Sequence, residues 1–104
     1  MICYNKLVRD KIPEIIVGAG KTCDIQEIKD NQKVIELLEA KLMEELAEYK
    51  EAGDVEEIAD MVEVMMSLSE RLGTSRRDLL KMVERKAEKR GKFTKGLYLV
   101  SVSD

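Results

Sequence analysis

Between positions 34 and 72 apolar residues recur three and four places apart, and one glycine, Gly53, interrupts the series. A strand cannot present this pattern, because its side chains alternate with a period of two, whereas a helix returns to one face every 3.6 residues. Val34, Ile35, Leu38, Leu42, Leu46 and Tyr49 predict a helix over residues 31–52, stopped by Gly53. Residues 54–72 predict another, ended by Gly73, and a further helix runs from Thr74 or Ser75 to about Arg90, closed by Gly91. A short helix over about 10–18 precedes them, with Asp10 as its expected cap, Pro13 in its first turn and Gly18 and Gly20 at its end. Loops this short make long helices antiparallel neighbours, so the expected fold class is all-α: one four-helix-bundle-like domain over 1–104. "KTCDIQEIK" is ambiguous, and the weakly alternating tail "GLYLVSVSD" predicts a short C-terminal edge strand, beside residues 23–28.

The helix over 54–72 is apolar around more than one stripe. Val55, Ile58, Met61, Val62, Val64, Met65, Met66 and Leu68 cover roughly half of its circumference. A bundle of this size cannot cover all of it, so a homo-oligomer is expected. The methionines read as packing rather than as metal ligands.

A net charge of -3 argues against nonspecific binding to a nucleic-acid polymer. No apolar run approaches the ~20 residues of a membrane span, and "MICYNKLVRD" reaches charge too early for a signal peptide. Cys3 and Cys23 form no CxxC pair and read as thiols of a reducing, cytoplasmic protein. The charge is unevenly placed: residues 39–60 hold nine acids against two bases, and residues 76–95 nine bases against three acids. Carboxylates that grip a cation, and cations that grip phosphates, would produce such a division.

On a helical wheel Glu45 falls inside the apolar stripe, flanked by Leu38, Leu42 and Tyr49, and Glu48 lies at the edge of that face. The next helix repeats the arrangement with Glu57 and Asp60 beside Met61 and Val64. Antiparallel pairing about Gly53 brings the two pairs face to face, and four such carboxylates require a counter-charge. Oxygen-only donors suit Mg²⁺, or Mn²⁺; with no His and no paired Cys, zinc does not fit. Neither an EF-hand loop nor a phosphate-binding glycine loop is present, and without histidine no Ser-His or Cys-His nucleophile is available. Simpler roles compete for single residues. Glu57 could close a capping box with Asp54, and Lys41 could merely pair with Glu45. Glu44, Glu51, Glu56 and Glu63 read as solvated charges, with Glu44 also placed to support the ligands. On the last helix the inward stripe of Leu79 and Val83 turns cationic at Lys86 and Arg90, which become candidate phosphate contacts, although Arg90 also suits a helix C-terminus. Lys6, Arg9 and Lys11 add basic charge near the N-terminus.

"EELAE" followed by "EIAD" resembles the EExxE…ExxD signature of the all-α nucleotide pyrophosphohydrolases, which include MazG and phosphoribosyl-ATP pyrophosphohydrolase. "YNKLVRDKIPEII" and "KRGKFTKG" are similar to the phosphoribosyl-ATP pyrophosphohydrolase-like branch. The resemblance implies Mg²⁺ on Glu45, Glu48, Glu57 and Asp60, and hydrolysis of a nucleotide to monophosphate and pyrophosphate. It also implies phosphate contacts from Lys86 and Arg90, consistent with the wheel, and Lys6 and Arg9 are candidates for the same role. Catalytic roles fall to Glu44, Glu45 and Glu48, with Glu44 or Glu48 orienting water. No His follows the ExxD block and only eight residues run from Tyr49 to Glu56, so the substrate stays a nucleoside triphosphate or a phosphoribosyl-ATP-like nucleotide. The alternative is a regulatory module that binds metal and nucleotide without turnover.

Overall fold

The computed structural model describes residues 2–104. Its helices are α1 (Ile12–Gly18), α2 (Asn31–Ala52), α3 (Val55–Arg71) and α4 (Arg76–Arg90). The all-α expectation holds, and the three long helices start and stop where their capping residues sit. Asp30 accepts the Gln32 N–H at 3.1 Å, Asp54 the Glu57 N–H at 3.2 Å, and the Ser75 hydroxyl the Asp78 N–H at 3.1 Å. Gly53 ends α2 in the left-handed region at φ 70° while its N–H reaches Tyr49 O at 2.7 Å. Only glycine adopts that backbone without a Cβ penalty.

α2 and α3 pair antiparallel. Asn31 at the start of α2 donates to the Arg71 carbonyl at the end of α3, 3.0 Å away. Val34, Leu38 and Val64 are buried between the two helices, with Leu42, Leu68, Leu7 and Ile28 packed on them in part. α4 packs on α3 over a smaller stretch, and the α1 backbone stays apart from the other helices. The chain is consequently elongated, 63 × 32 × 23 Å with a radius of gyration of 18.0 Å. A compact domain of 100 residues has a radius near ~13 Å.

The turn into α4 is held by charge. Thr74 N–H bonds to Ser69 O at 2.9 Å, and the buried Ser69 hydroxyl donates to Thr74 O at 2.9 Å. Arg76 then forks onto Glu63 at 2.6 and 2.8 Å and reaches Glu70 at 3.0 Å, while Ser67 donates to Glu63 at 3.1 Å. Glu63 was expected among the solvated charges, and the structure corrects this. It lies four residues from Ser67 and seven from Glu70 on one helix face, where the first residue of α4 meets all three.

Two further expectations fail. Asp10 does not cap α1: the helix begins after Lys11 without any side-chain cap. The C-terminal strand is absent, since residues 97–104 carry no strand and neither do 21–30. An edge strand needs a ladder partner for its backbone groups, and among the described residues none is offered. No helix of the described residues is long and apolar enough to cross a membrane.

The guanidinium of Arg76 holds the Glu63 carboxyl down at about 2, from an ordinary 4.5. A depressed folded pKa contributes stability that is present above pH 4.5 and lost as the pH falls toward 2. Thermal melts from pH 5 to pH 2.5 should therefore fall more steeply for the natural chain than for Glu63→Gln, which should be less stable at pH 7 and lack that portion of the acid dependence.

Candidate metal centre

Glu45 occupies a position in α2 that packing would assign to leucine, and it is buried to 7% exposure beside the Val34–Leu38 stripe. One carboxylate oxygen from each of Glu45, Glu57 and Asp60 lies within 4.8 Å of the other two. The pairing of α2 with α3 about Gly53 brings these groups together from two helices. Glu45 Oε1 has an ion pair with Lys41 one turn back, at 3.4 Å. Its Oε2 is buried with no hydrogen-bond partner among the described residues, and so is Glu57 Oε2.

The electrostatics follow from that geometry. Burial raises the Glu45 carboxyl above its ordinary value, the neighbouring Glu48 raises it further, and Lys41 only partly opposes them. Desolvation raises Glu57 as well, reinforced by Glu48, Asp60, Asp54 and Glu45. Half of the anticipated capping box is present. Asp54 takes the Glu57 N–H, but among the described residues no hydrogen bond returns from the Glu57 carboxylate to the helix start. Capping thus leaves the Glu57 side chain free to face the cluster.

Of the four expected ligands, Glu45, Glu57 and Asp60 form the close group. Glu48 stands at the exposed rim, where with Glu51, Ala52 and Glu57 it lines an open recess of about 290 Å³. Glu44 is not a free surface charge: it pairs with Lys6 at 3.2 Å and Lys41 at 3.6 Å, and Lys6 above all holds it below the usual carboxylate range. Glu51 and Glu56 are exposed, as expected.

The expected phosphate contacts separate into two groups. Arg9 reaches the cluster from the non-helical N-terminal segment, its guanidinium 2.7 Å from Asp60, and Lys6 of the same segment reaches the adjacent Glu44. Periodicity had no means of placing them there, because the ion pairs span 38 and 51 positions along the chain. Lys86 and Arg90 are exposed on α4 and, among the described residues, form no ion pair with any carboxylate of this chain.

The donor set fits a hard divalent cation. It offers oxygen ligands only, two of them lack any partner among the described residues, and burial with neighbouring acids raises the carboxyls of Glu45 and Glu57. Arg9 supplies a positive charge to Asp60. The pair is exposed, and such pairs contribute about 0.2–1 kcal/mol. Arg9→Ala should accordingly tighten Mn²⁺ binding by up to about fivefold, read by the loss of the free-ion electron paramagnetic resonance signal. Mg²⁺ at a hundredfold excess over its Kd should stabilise the chain by about 2.7 kcal/mol. Glu45→Gln should raise the melting temperature of the metal-free chain at pH 7 and abolish the Mg²⁺ increment, both read by thermal denaturation.

Compared with models of protein families, with curated proteins and with solved structures, the chain has no significant match.

Proposed function

We propose that the chain is a divalent-cation-dependent nucleotide pyrophosphohydrolase, which cleaves between the α and β phosphates of a nucleoside triphosphate or a phosphoribosyl-ATP-like nucleotide. One observation carries this reading: a carboxylate buried among apolar residues, its Oε2 without a partner, beside two further acids. Proteins do not retain an uncompensated buried charge without a counter-ion or a use for it. The EExxE…ExxD resemblance names the same residues.

Glu45, Glu57 and Asp60 would hold Mg²⁺ or Mn²⁺, with Glu48 joining from the rim. Bound there, the ion would polarise phosphate oxygens and lower the pKa of water. The other roles belong to side chains. Glu48, open to the recess, orients the attacking water. Glu44, held ionised by two lysines, fixes Lys6 and Lys41 along the edge of the cluster. Arg9 and Lys6 lie where they can turn from carboxylate to phosphate, and the planar fork of Arg9 matches phosphate oxygens. Charge developing on the departing pyrophosphate is then met by cations already in place. Lys86 and Arg90, exposed on α4, are further candidates for phosphate contact.

The test is a panel of nucleoside triphosphates and phosphoribosyl-ATP, incubated with the full chain and Mg²⁺ while pyrophosphate is measured. Release should occur for at least one nucleotide and should fall by at least about 100-fold in Glu45→Gln and Asp60→Asn, the upper end of what even supporting residues at metal sites cost. Mg²⁺-dependent nucleotide binding without release would instead mark a regulatory module.

A further inference from the structure

Residues 8–27 leave the body of the chain and return to it, carrying α1 on the way. Both ends of this excursion are anchored: Leu7 before it and Ile28 after it pack on the core of Val34, Leu38 and Val64. Between the anchors the α1 backbone stays apart from the other helices. Ile12, Pro13 and Ile16 are half-buried, and none of them packs on that core. The backbone hydrogen bonds around α1 close within the excursion itself. Among the described residues, one side-chain bond ties it to the rest of the chain, from the Arg9 guanidinium to Asp60 Oδ1 at 2.7 Å.

Asp60 belongs to the close group of three acids, so α1 is fastened to a member of the candidate cation seat. The seat itself lacks positive charge: Glu45 is 7% exposed and its Oε2 has no partner among the described residues. A hard cation bound ~2.1 Å from an Asp60 oxygen would stand within about 5 Å of the guanidinium nitrogen. At that range the two positive groups repel each other. The ion prevails, because it carries twice the charge and meets three carboxylates, whereas Arg9 meets one in a pair whose side chains are 59% and 41% exposed.

We propose that this ion pair is a latch which a divalent cation opens: filling the cluster displaces Arg9 from Asp60 and releases α1 from the body of the chain. The other side of the Leu7 anchor is unaffected, since Lys6 pairs with Glu44, which lies outside the close group. α1 has only seven residues and no side-chain cap at its start. Isolated helices shorter than ~12–15 residues are marginal in water, so an unfastened α1 frays. The same ion joins α2 to α3 and steadies them. One binding event thus loosens one part of the chain while tightening another. It also orders two events, because the Arg9 fork becomes available to an anionic ligand only after the cation is seated. The latch rests on the cation seat of the proposed function and is independent of hydrolysis.

Amide hydrogen exchange of the full chain, read by mass spectrometry with and without saturating Mg²⁺, tests this through opposite responses in two regions. Exchange should slow in peptides covering 45–60. In peptides covering 12–20 it should quicken by up to about fivefold, the factor an exposed ion pair is worth. General stabilisation by the ion would instead slow both. Arg9→Ala should show the quicker α1 exchange without Mg²⁺ and no further rise when it is added. Lys21→Ala removes an exposed charge of the same excursion that forms no ion pair among the described residues, and should respond as the natural chain does. Slowing over 45–60 with α1 unchanged or slowed, or an undiminished α1 response in Arg9→Ala, would overturn the latch and leave the cation seat standing. No Mg²⁺ effect over 45–60 would overturn both.

Discussion

Keeping the carboxylate of Glu45 among apolar side chains sets a cost that the rest of the structure is arranged around. Two helices bury Val34, Leu38 and Val64 together, and the same register that packs them carries Glu45, Glu57 and Asp60 to within a few ångströms of one another. Hydrophobic contact between α2 and α3 therefore works against like-charge repulsion at one end of the pair. Lys41 and Arg9 relieve some of it, and two carboxylate oxygens remain without a partner among the described residues. A cation would reverse the sign of the whole arrangement, turning a repulsive cluster into a cross-link between helices.

Two carboxylates of α3 show how strongly surroundings decide the behaviour of one residue type. In the middle of the helix Glu63 meets a guanidinium fork and its carboxyl is pulled to about 2. At the acidic end Glu57 is desolvated among other acids, and its carboxyl is pushed up. The first arrangement is a structural clamp, complete within the chain. The second leaves the Glu57 Oε2 without a hydrogen-bond partner among the described residues.

Most of the secondary structure was legible because each long helix announces itself twice, once by periodicity and once by its cap. Asp30, Asp54 and Ser75 each accept an N–H from the first turn, and Gly53 and Gly91 end their helices. Glu45 stood out by the same logic, as a charge in an apolar register. What periodicity could not deliver was anything carried by irregular segments. Lys6 and Arg9 sit on a stretch with no repeating geometry, and their partners lie far away in sequence. Asp10 had the chemistry of a cap without the backbone to use it, and the tail had strand-like alternation without a strand to pair with.

The sequence by itself determined the three long helices, their N-caps and the inward place of Glu45, because these depend on spacing within one helix and on local hydrogen bonds. Only the tertiary structure decided that Glu48 stands at the rim while Asp60 joins the close group, that Glu63 is clamped rather than solvated, and that one face of α3 stays uncovered. Each of these depends on the distance between different helices, which is set by how their side chains interdigitate and by charges that meet only after the chain has folded.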